Sequence, residues 1–400
     1  MDKKLKEIKE TKKNKWYLII WISLFGILLI TGLLTAIRIF TAGHAGMFNT
    51  TDEIPWGLPI GTYIFFVLTS SGLTFISSLS SVFRIKLYKP IAKRCVFMAI
   101  CAMFAGFVSL LIELGQPLNI IYYVITPNFG SQMWWMGALY GIYLLFLITK
   151  FWRLHIGDHD SMASKALGLV TLFFAIAAPA ILGSIFGLVV VRPAFLSEFK
   201  PAYFLLTALL SGLAFLMLIR IIYHFFVQTD ITENRQGIFN HIAELLALTI
   251  GITIFFSVWR TITGLNDNRT SPAFFELVSS WPFRIEVFLG LVFPFFLMIV
   301  PSIRQTDAGK TIASLFVLGG LFIGRIELIM VGQIQPMVHG ITEADKFTHY
   351  FPSVWEWIIA GFSLSILLLL YAAGERYLNL DIHPVESKIT MQDSGFLKKQ

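Results

Sequence analysis

The stretch Gly320-Leu-Phe-Ile-Gly324-Arg325-Ile-Glu327-Leu-Ile-Met-Val-Gly332-Gln333-Ile-Gln335-Pro336 ends an apolar run that begins just after Lys310. It reads as the far end of a membrane-spanning helix. At about 1.5 Å per residue, Arg325 lies roughly 22 Å from Lys310, inside a hydrocarbon core of about 30 Å. An arginine and a glutamate at that depth are tolerated only when paired or facing a polar cavity. Gly320 and Gly324 form a GxxxG pattern that lets a second helix come close one turn before the charge. Two readings compete: Arg325 belongs to a structural ion pair that glues helices together, or these residues line a polar site.

Working outward, the same texture covers the chain. It is 56% hydrophobic and 14% charged over 400 residues, with mean hydropathy +0.73. That composition makes an all-α integral membrane protein and excludes an ordinary soluble domain. The net charge of +7 is no nucleic-acid signal, because seven lysines crowd the first fifteen residues beside a membrane span. Cys95 and Cys101 stand six apart with no CxxC or CxxCH, so neither a metal site nor an iron–sulfur cluster is expected in the chain. The apolar stretch from Trp16 to about Phe40 exceeds a signal-peptide core and reads as an uncleaved first span.

Apolar runs bounded by polar turns give ten spans, at about 16–40, 57–83, 92–114, 132–152, 165–191, 202–227, 238–260, 282–302, 311–333 and 353–375. With the N-terminus inside, 23 of the 31 lysines and arginines fall on the cytoplasmic side, so both termini are expected there. The expected domains are a basic tail (1–15), one polytopic membrane domain (16–378) and a second cytoplasmic tail (379–400). Tyr63-Ile-Phe-Phe-Val-Leu-Thr-Ser-Ser71-Gly72-Leu73 and Tyr203-Phe-Leu-Leu-Thr-Ala-Leu-Leu-Ser211-Gly212-Leu213 echo each other at an offset of 140. They suggest two parallel four-helix bundles, spans 2–5 (about 57–191) and 6–9 (about 202–333), flanked by spans 1 and 10.

Ionisable residues collect near the outer ends of the spans: Glu113, Arg192, Arg260, Arg284, Glu286, Arg325, Glu327 and Glu356. Such a grouping suits a polar headgroup with proton exchange. The bland alternatives differ by residue. Arg192, Arg260 and Arg284 are near enough to the interface to snorkel. Glu113 precedes Leu-Gly-Gln-Pro117 and also marks a helix end. Ser353 and Glu356 fit a capping box. Glu244 stands on the inner half, one turn from His241, as a proton-path member or a packing acid. Only His224 and His241 approach span edges, both near the cytoplasm, which leaves one low-potential haem there open and rules out two stacked haems across the membrane. The tryptophans at outer span ends suit an interfacial belt.

Several motifs, in order, resemble the membrane subunits of the NrfD/polysulfide-reductase family: Pro55-Trp56-Gly57, Glu113-Leu-Gly-Gln-Pro117, Gly187-Leu-Val-Val-Val-Arg192-Pro193, Gly332-Gln333-Ile-Gln335-Pro336 and Tyr350-Phe-Pro352-Ser353-Val-Trp-Glu356-Trp357. The ten-span length is similar to the branch found in periplasmic hydrogenases and sulfate-reducer respiratory complexes. The resemblance implies a quinone-binding subunit without haem or iron–sulfur cluster of its own. Its partners would be an extracytoplasmic ferredoxin-like iron–sulfur subunit and a further catalytic or cytochrome subunit, in the cytoplasmic (inner) membrane of a prokaryote. Glu113 stands where relatives commonly have aspartate, and Ser70 where some have histidine.

The expected function is electron exchange between a menaquinone or ubiquinone pool and that iron–sulfur partner. Trp56, Ser70, Glu113 and Gln116 would contact the ring. Glu113, Glu244, Glu286, Glu327 and Glu356 would move protons, since two protons accompany two electrons. Of these, Glu286, Glu327 and Glu356 are expected to cluster with Arg325 in spans 8–10. A secondary transporter is the competing class, which would need a midplane site between discontinuous helices. The charge asymmetry makes a direct prediction: cytoplasm-active reporters fused to either terminus should fluoresce, and periplasm-active ones should stay silent. The opposite pattern at one terminus would remove a span from the count.

Overall fold

Lipid offers the backbone no hydrogen bonds, so the apolar runs close their amides internally as helices. The computed structural model describes residues 2–44, 46–52, 54–159, 161–187, 199–227, 233–267, 271–333, 350–378 and 380. Among the described residues, ten helices are long and apolar enough to cross a membrane. Span 1 is the Trp21–Thr41 part of a helix over Asp2–Ala42. Spans 2 to 5 are Leu58–Ser81, Lys89–Glu113, Gln132–His155 and Met162–Gly187. Spans 6 and 7 are Lys200–Val227 and Glu233–Asn266; spans 8, 9 and 10 are Trp281–Ile299, Asp307–Gln333 and Val354–Tyr377. No strand occurs among the described residues.

Span 2 packs on spans 3 and 5, and span 4 on spans 3 and 5, so these four make a closed circuit of neighbours. Spans 6, 7, 8 and 9 make another. The circuits meet where span 2 crosses span 6, and span 10 lies against spans 1, 2 and 3. That crossing uses the echoed sequences themselves. Gly72 and Gly212 sit back to back, and a Cβ on Gly72 would land on the Ala208 carbonyl. A backbone-to-backbone approach of this kind is what small residues permit in lipid.

The GxxxG of span 9 divides its work. Gly320 lies against Gly290 of span 8, backbone to backbone, whereas Gly324 leaves room for the Glu286 carboxylate. Gly137 and Gly141, four apart on span 4, form no such contact. Gly137 accommodates the Tyr123 phenol and Gly141 has no neighbour within 4 Å, because that face of span 4 turns away from the other spans. Two short helices that the span count passed over, Ile120–Ile125 and Ser271–Ser279, lie in the connections between spans 3 and 4 and between spans 7 and 8. Span 8 carries a further surprise: Ile285–Val292 is π-helical, ahead of Pro294. Proline donates no N–H and its ring crowds the carbonyl four residues back, so the turns before it widen. Glu286 sits within that widened segment.

Gly72→Val should force spans 2 and 6 apart at a destabilisation of about 1–3 kcal/mol, the usual range for overpacking. Gly141→Val should leave stability unchanged. Thermal unfolding monitored by size exclusion compares the two; equal midpoints would remove the crossing from the account.

Candidate functional site at the start of span 2

The site grows from a helix start that cannot cap itself. Gly57 is the N-cap of span 2 and offers no side chain, so the first amides of a helix at membrane depth must find partners elsewhere. Three distant segments supply them. The Leu58 N–H donates to the Tyr350 hydroxyl at 2.8 Å. The Trp56 N–H donates to Gln333 Oε1, and Gln333 Nε2 donates back to the Trp56 carbonyl, both at 3.1 Å. The Glu113 carboxylate at the end of span 3 faces the Gly57 N–H.

Glu356 completes the group. It closes a capping box with Ser353 at the start of span 10 and accepts from the Tyr350 hydroxyl at 2.5 Å. Burial, then the bond to Glu356, holds the Tyr350 phenol well above its ordinary pKa, so it stays a donor. A Cβ on Gly57 would meet Glu356 Oε1 and the Tyr350 hydroxyl, so this glycine is needed for close approach. Two carboxylates thus gather at the positive end of the span 2 helix dipole. One atom is left over: Glu113 Oε2 is buried with no hydrogen-bond partner. The Trp56 ring stands edge-on to Phe186 at 5.7 Å, and His44 Nε2 lies 3.0 Å from the Ile112 carbonyl beneath Glu113.

A second polar group lies in the other circuit. Arg260 pairs with Glu327 at 3.2 Å, and the Tyr203 hydroxyl donates to Glu286 at 3.2 Å. Arg325 donates to Thr207 Oγ1 at 2.5 Å and lies over the Phe204 ring at 5.2 Å. It does not take Glu327 as its ion-pair partner, because residues two apart on a helix project from opposite faces. Arg260, which read as a snorkelling residue, instead turns inward to Glu327, with 13% of its side chain exposed. Arg325 Nε and Glu327 Oε2 have no hydrogen-bond partner. Lys200 is buried beside this group and, with Arg260 and Tyr203, lines a small pocket edged by Phe199 and Trp259.

The expected site residues therefore divide. Trp56, Glu113 and Glu356 come together around Gly57; Glu286, Glu327 and Arg325 come together around Tyr203. Glu356 does not join the second group, because span 10 packs on spans 1, 2 and 3 rather than on 8 and 9. Gln116 is at the exposed rim, accepting from Asn119 at 2.8 Å. Ser70 lies thirteen residues beyond Gly57 on span 2, about 20 Å away, buried at the middle of the first circuit. Glu244 is half exposed in the first half of span 7 and pairs with Arg304 at 3.1 Å, while His241 Nδ1 lies 2.6 Å from the Tyr88 hydroxyl. Arg192, Gln335 and Pro336 lie outside the described residues, as does the side chain of His224.

Sequence reasoning gave no role to Tyr350, Gln333 or Tyr203. The first two stand within motifs quoted above, Tyr350-Phe-Pro352 and Gly332-Gln333, and a polar residue beside a span end was the available signal. Nothing local marks Tyr203, whose partner is 83 positions away.

Comparison with known proteins agrees with this architecture. The chain is 24% identical over 369 residues to a selenate reductase subunit of Mesobacillus selenatarsenatis, covering 80% of this chain and 85% of that protein. It is 23% identical over 379 residues to an Hdr-like menaquinol oxidoreductase integral membrane subunit of Archaeoglobus fulgidus, covering 89% and 93%. A putative dimethyl sulfoxide reductase membrane subunit of Halobacterium salinarum is 25% identical over 405 residues, covering 90% and 91%. Residues 46–337 match the family model for polysulphide reductase, NrfD, and with most of its spans inside that match the chain belongs to the NrfD family of membrane subunits.

Proposed function

We propose that this chain is the quinone-linked membrane subunit of a respiratory oxidoreductase in a prokaryotic cytoplasmic membrane. It would exchange electrons between a menaquinone or ubiquinone pool and an extracytoplasmic iron–sulfur subunit, with a further catalytic or cytochrome subunit beyond it. Family membership and the reductase subunits among its relatives support the quinone link. The menaquinol named for the Archaeoglobus relative favours menaquinone.

The observation that carries the reading is Glu113. Its Oε2 is buried without a hydrogen-bond partner, at the end of span 3, beside an amide-lined helix start and an aromatic ring. A carboxyl in that position is suited to give or take one proton. A bound quinone supplies the two-electron, two-proton chemistry. Glu113 would hold the proton at Oε2. The Gly57 N–H would orient the carboxylate, Trp56 would wall the ring, and Gln116 would close the rim toward the outer surface. Tyr350 bonds Leu58 and Glu356 at once. It fixes the second carboxylate beside the start of span 2.

Purification from native membranes, with identification of co-purifying chains and extractable quinone, tests the assignment. A lone chain that holds no quinone and moves a solute in liposomes would overturn it in favour of a transporter. Within the complex, Glu113→Gln keeps shape and removes the proton; quinol-linked turnover should fall about a hundredfold, within the usual range for a lost acid–base group, with assembly intact. Unchanged turnover would exclude Glu113 from the chemistry.

A further inference from the structure

Where spans 6 and 7 meet, positive charge gathers beside lipid, and the quinone reading leaves it unused. Lys200 opens span 6 and is only 5% exposed. Its place is fixed from behind, since a Cβ on Gly183 of span 5 would meet the Lys200 carbonyl oxygen at 2.9 Å. Arg260, near the end of span 7, lies within range of the Lys200 charge and over the Tyr203 ring at 5.7 Å. The two cations share a crevice with Tyr203 and with Leu328 of span 9, walled by the half-exposed Phe199 and Trp259.

Like charges held side by side at membrane depth are unfavourable, because lipid supplies no water to screen them. Among the described residues of this group, Lys200, Arg260 and Arg325 stand against Glu286 and Glu327, which leaves a positive excess. Arg260 commits Nη2 to one oxygen of Glu327 at 3.2 Å. A guanidinium carries five N–H groups, so donors remain for a second acceptor. A phosphodiester oxygen is such an acceptor, and basic pockets between membrane helices bind lipid phosphates in this way. A quinone is neutral and would leave the excess charge in place.

A second observation supplies the rest of the ligand. An apolar groove between spans 7 and 8 runs past Phe255 and Gly251 to Leu248, with Phe295 on its other side. Gly251 opens it, for a Cβ there would come within 3.1 Å of the Phe295 ring. Leu248, Ile252, Phe255 and Trp259 follow helical spacing and make one exposed stripe that joins groove to crevice. From Arg260 to Leu248 is about 18 Å along the helix, close to half of a hydrocarbon core of about 30 Å. One acyl chain covers that length. Trp259 beside the cations marks the headgroup level, where tryptophan rings settle.

We infer that crevice and groove together hold one phospholipid with an anionic headgroup. Its phosphodiester sits between Lys200 and Arg260, and one acyl chain lies along the exposed stripe of span 7. The lipid balances the charge of the second circuit and ties span 7 to spans 6 and 8 from outside. This site stands apart from the quinone reading and is testable without it.

Crosslinking of the purified complex with phosphatidylglycerol carrying a light-activated acyl chain tests this without any variant. Label should map to the span 7 peptide containing Phe255 and Trp259, and unlabelled phosphatidylglycerol should compete it away. A phosphatidylcholine analogue of the same chain length that labels this peptide equally well would show no preference for the anion and end the proposal. Competition by inorganic phosphate alone would reveal an anion site without a lipid chain, and competition by menaquinone a quinone site; either overturns the assignment. Lys200→Gln should weaken phosphatidylglycerol about fivefold, the worth of one lysine near an anionic lipid, and leave phosphatidylcholine unchanged. Gly251→Leu, which fills the groove, should weaken both lipids alike. Native mass spectrometry of the lipid-titrated complex reads both variants, and unaltered phosphatidylglycerol binding in the two would place the lipid elsewhere.

Discussion

The amides at the start of span 2 face a membrane that cannot hydrogen-bond to them, and their neighbour Gly57 brings no side chain to help. Everything around the candidate site follows from that constraint. Tyr350, Gln333 and Glu113 come from three other parts of the chain, and each is held where an N–H needs an acceptor. A neutral hydrogen bond contributes only about 1 kcal/mol net, but leaving a buried donor bare costs about 1–3 kcal/mol. The need to cap one helix therefore draws the end of span 3, the end of span 9 and the start of span 10 onto span 2. It also collects two carboxylates at one helix terminus, where the dipole favours negative charge.

The second circuit meets the same constraint with ions. Its guanidiniums and carboxylates are distributed over spans 7, 8 and 9, with Tyr203 and Thr207 of span 6 as neutral partners. Gly324 and the π-helical turn give Glu286 the room it occupies. At the opposite end of the bundle, Arg94 of span 3 makes a bidentate pair with Glu375 of span 10 at 2.7 and 3.0 Å. Spans 3 and 10 are thus tied at both ends, at one through Glu113 and Glu356 around Gly57, at the other through this pair. Removing one partner of so buried a pair typically costs about 3–5 kcal/mol.

Legibility in the sequence tracked physical range. Ten spans could be read because hydropathy is local, and the structure has ten such helices. The approach of a helix to Gly320 was readable for the same reason. Pairing across spans was not. Arg325 is the near neighbour of Glu327 in sequence, yet the partner of Glu327 is Arg260, 67 residues away. Glu356 sorts by sequence with the charges of spans 8 and 9, since nothing in a linear chain shows that span 10 folds back against span 3. The π-helical segment of span 8 had a visible cause in Pro294, although its extent depends on packing. Ser70 stands out in the sequence through family resemblance alone.

The central claim is that the start of span 2 receives a quinone ring. Photolabelling of the purified complex with a light-activated menaquinone analogue, followed by peptide mapping, measures this most directly. Label should fall on peptides carrying Trp56, Glu113 and Tyr350, and excess menaquinone should displace it. Displaceable label confined to spans 6–9, or label spread over lipid-facing helices and insensitive to menaquinone, would contradict it.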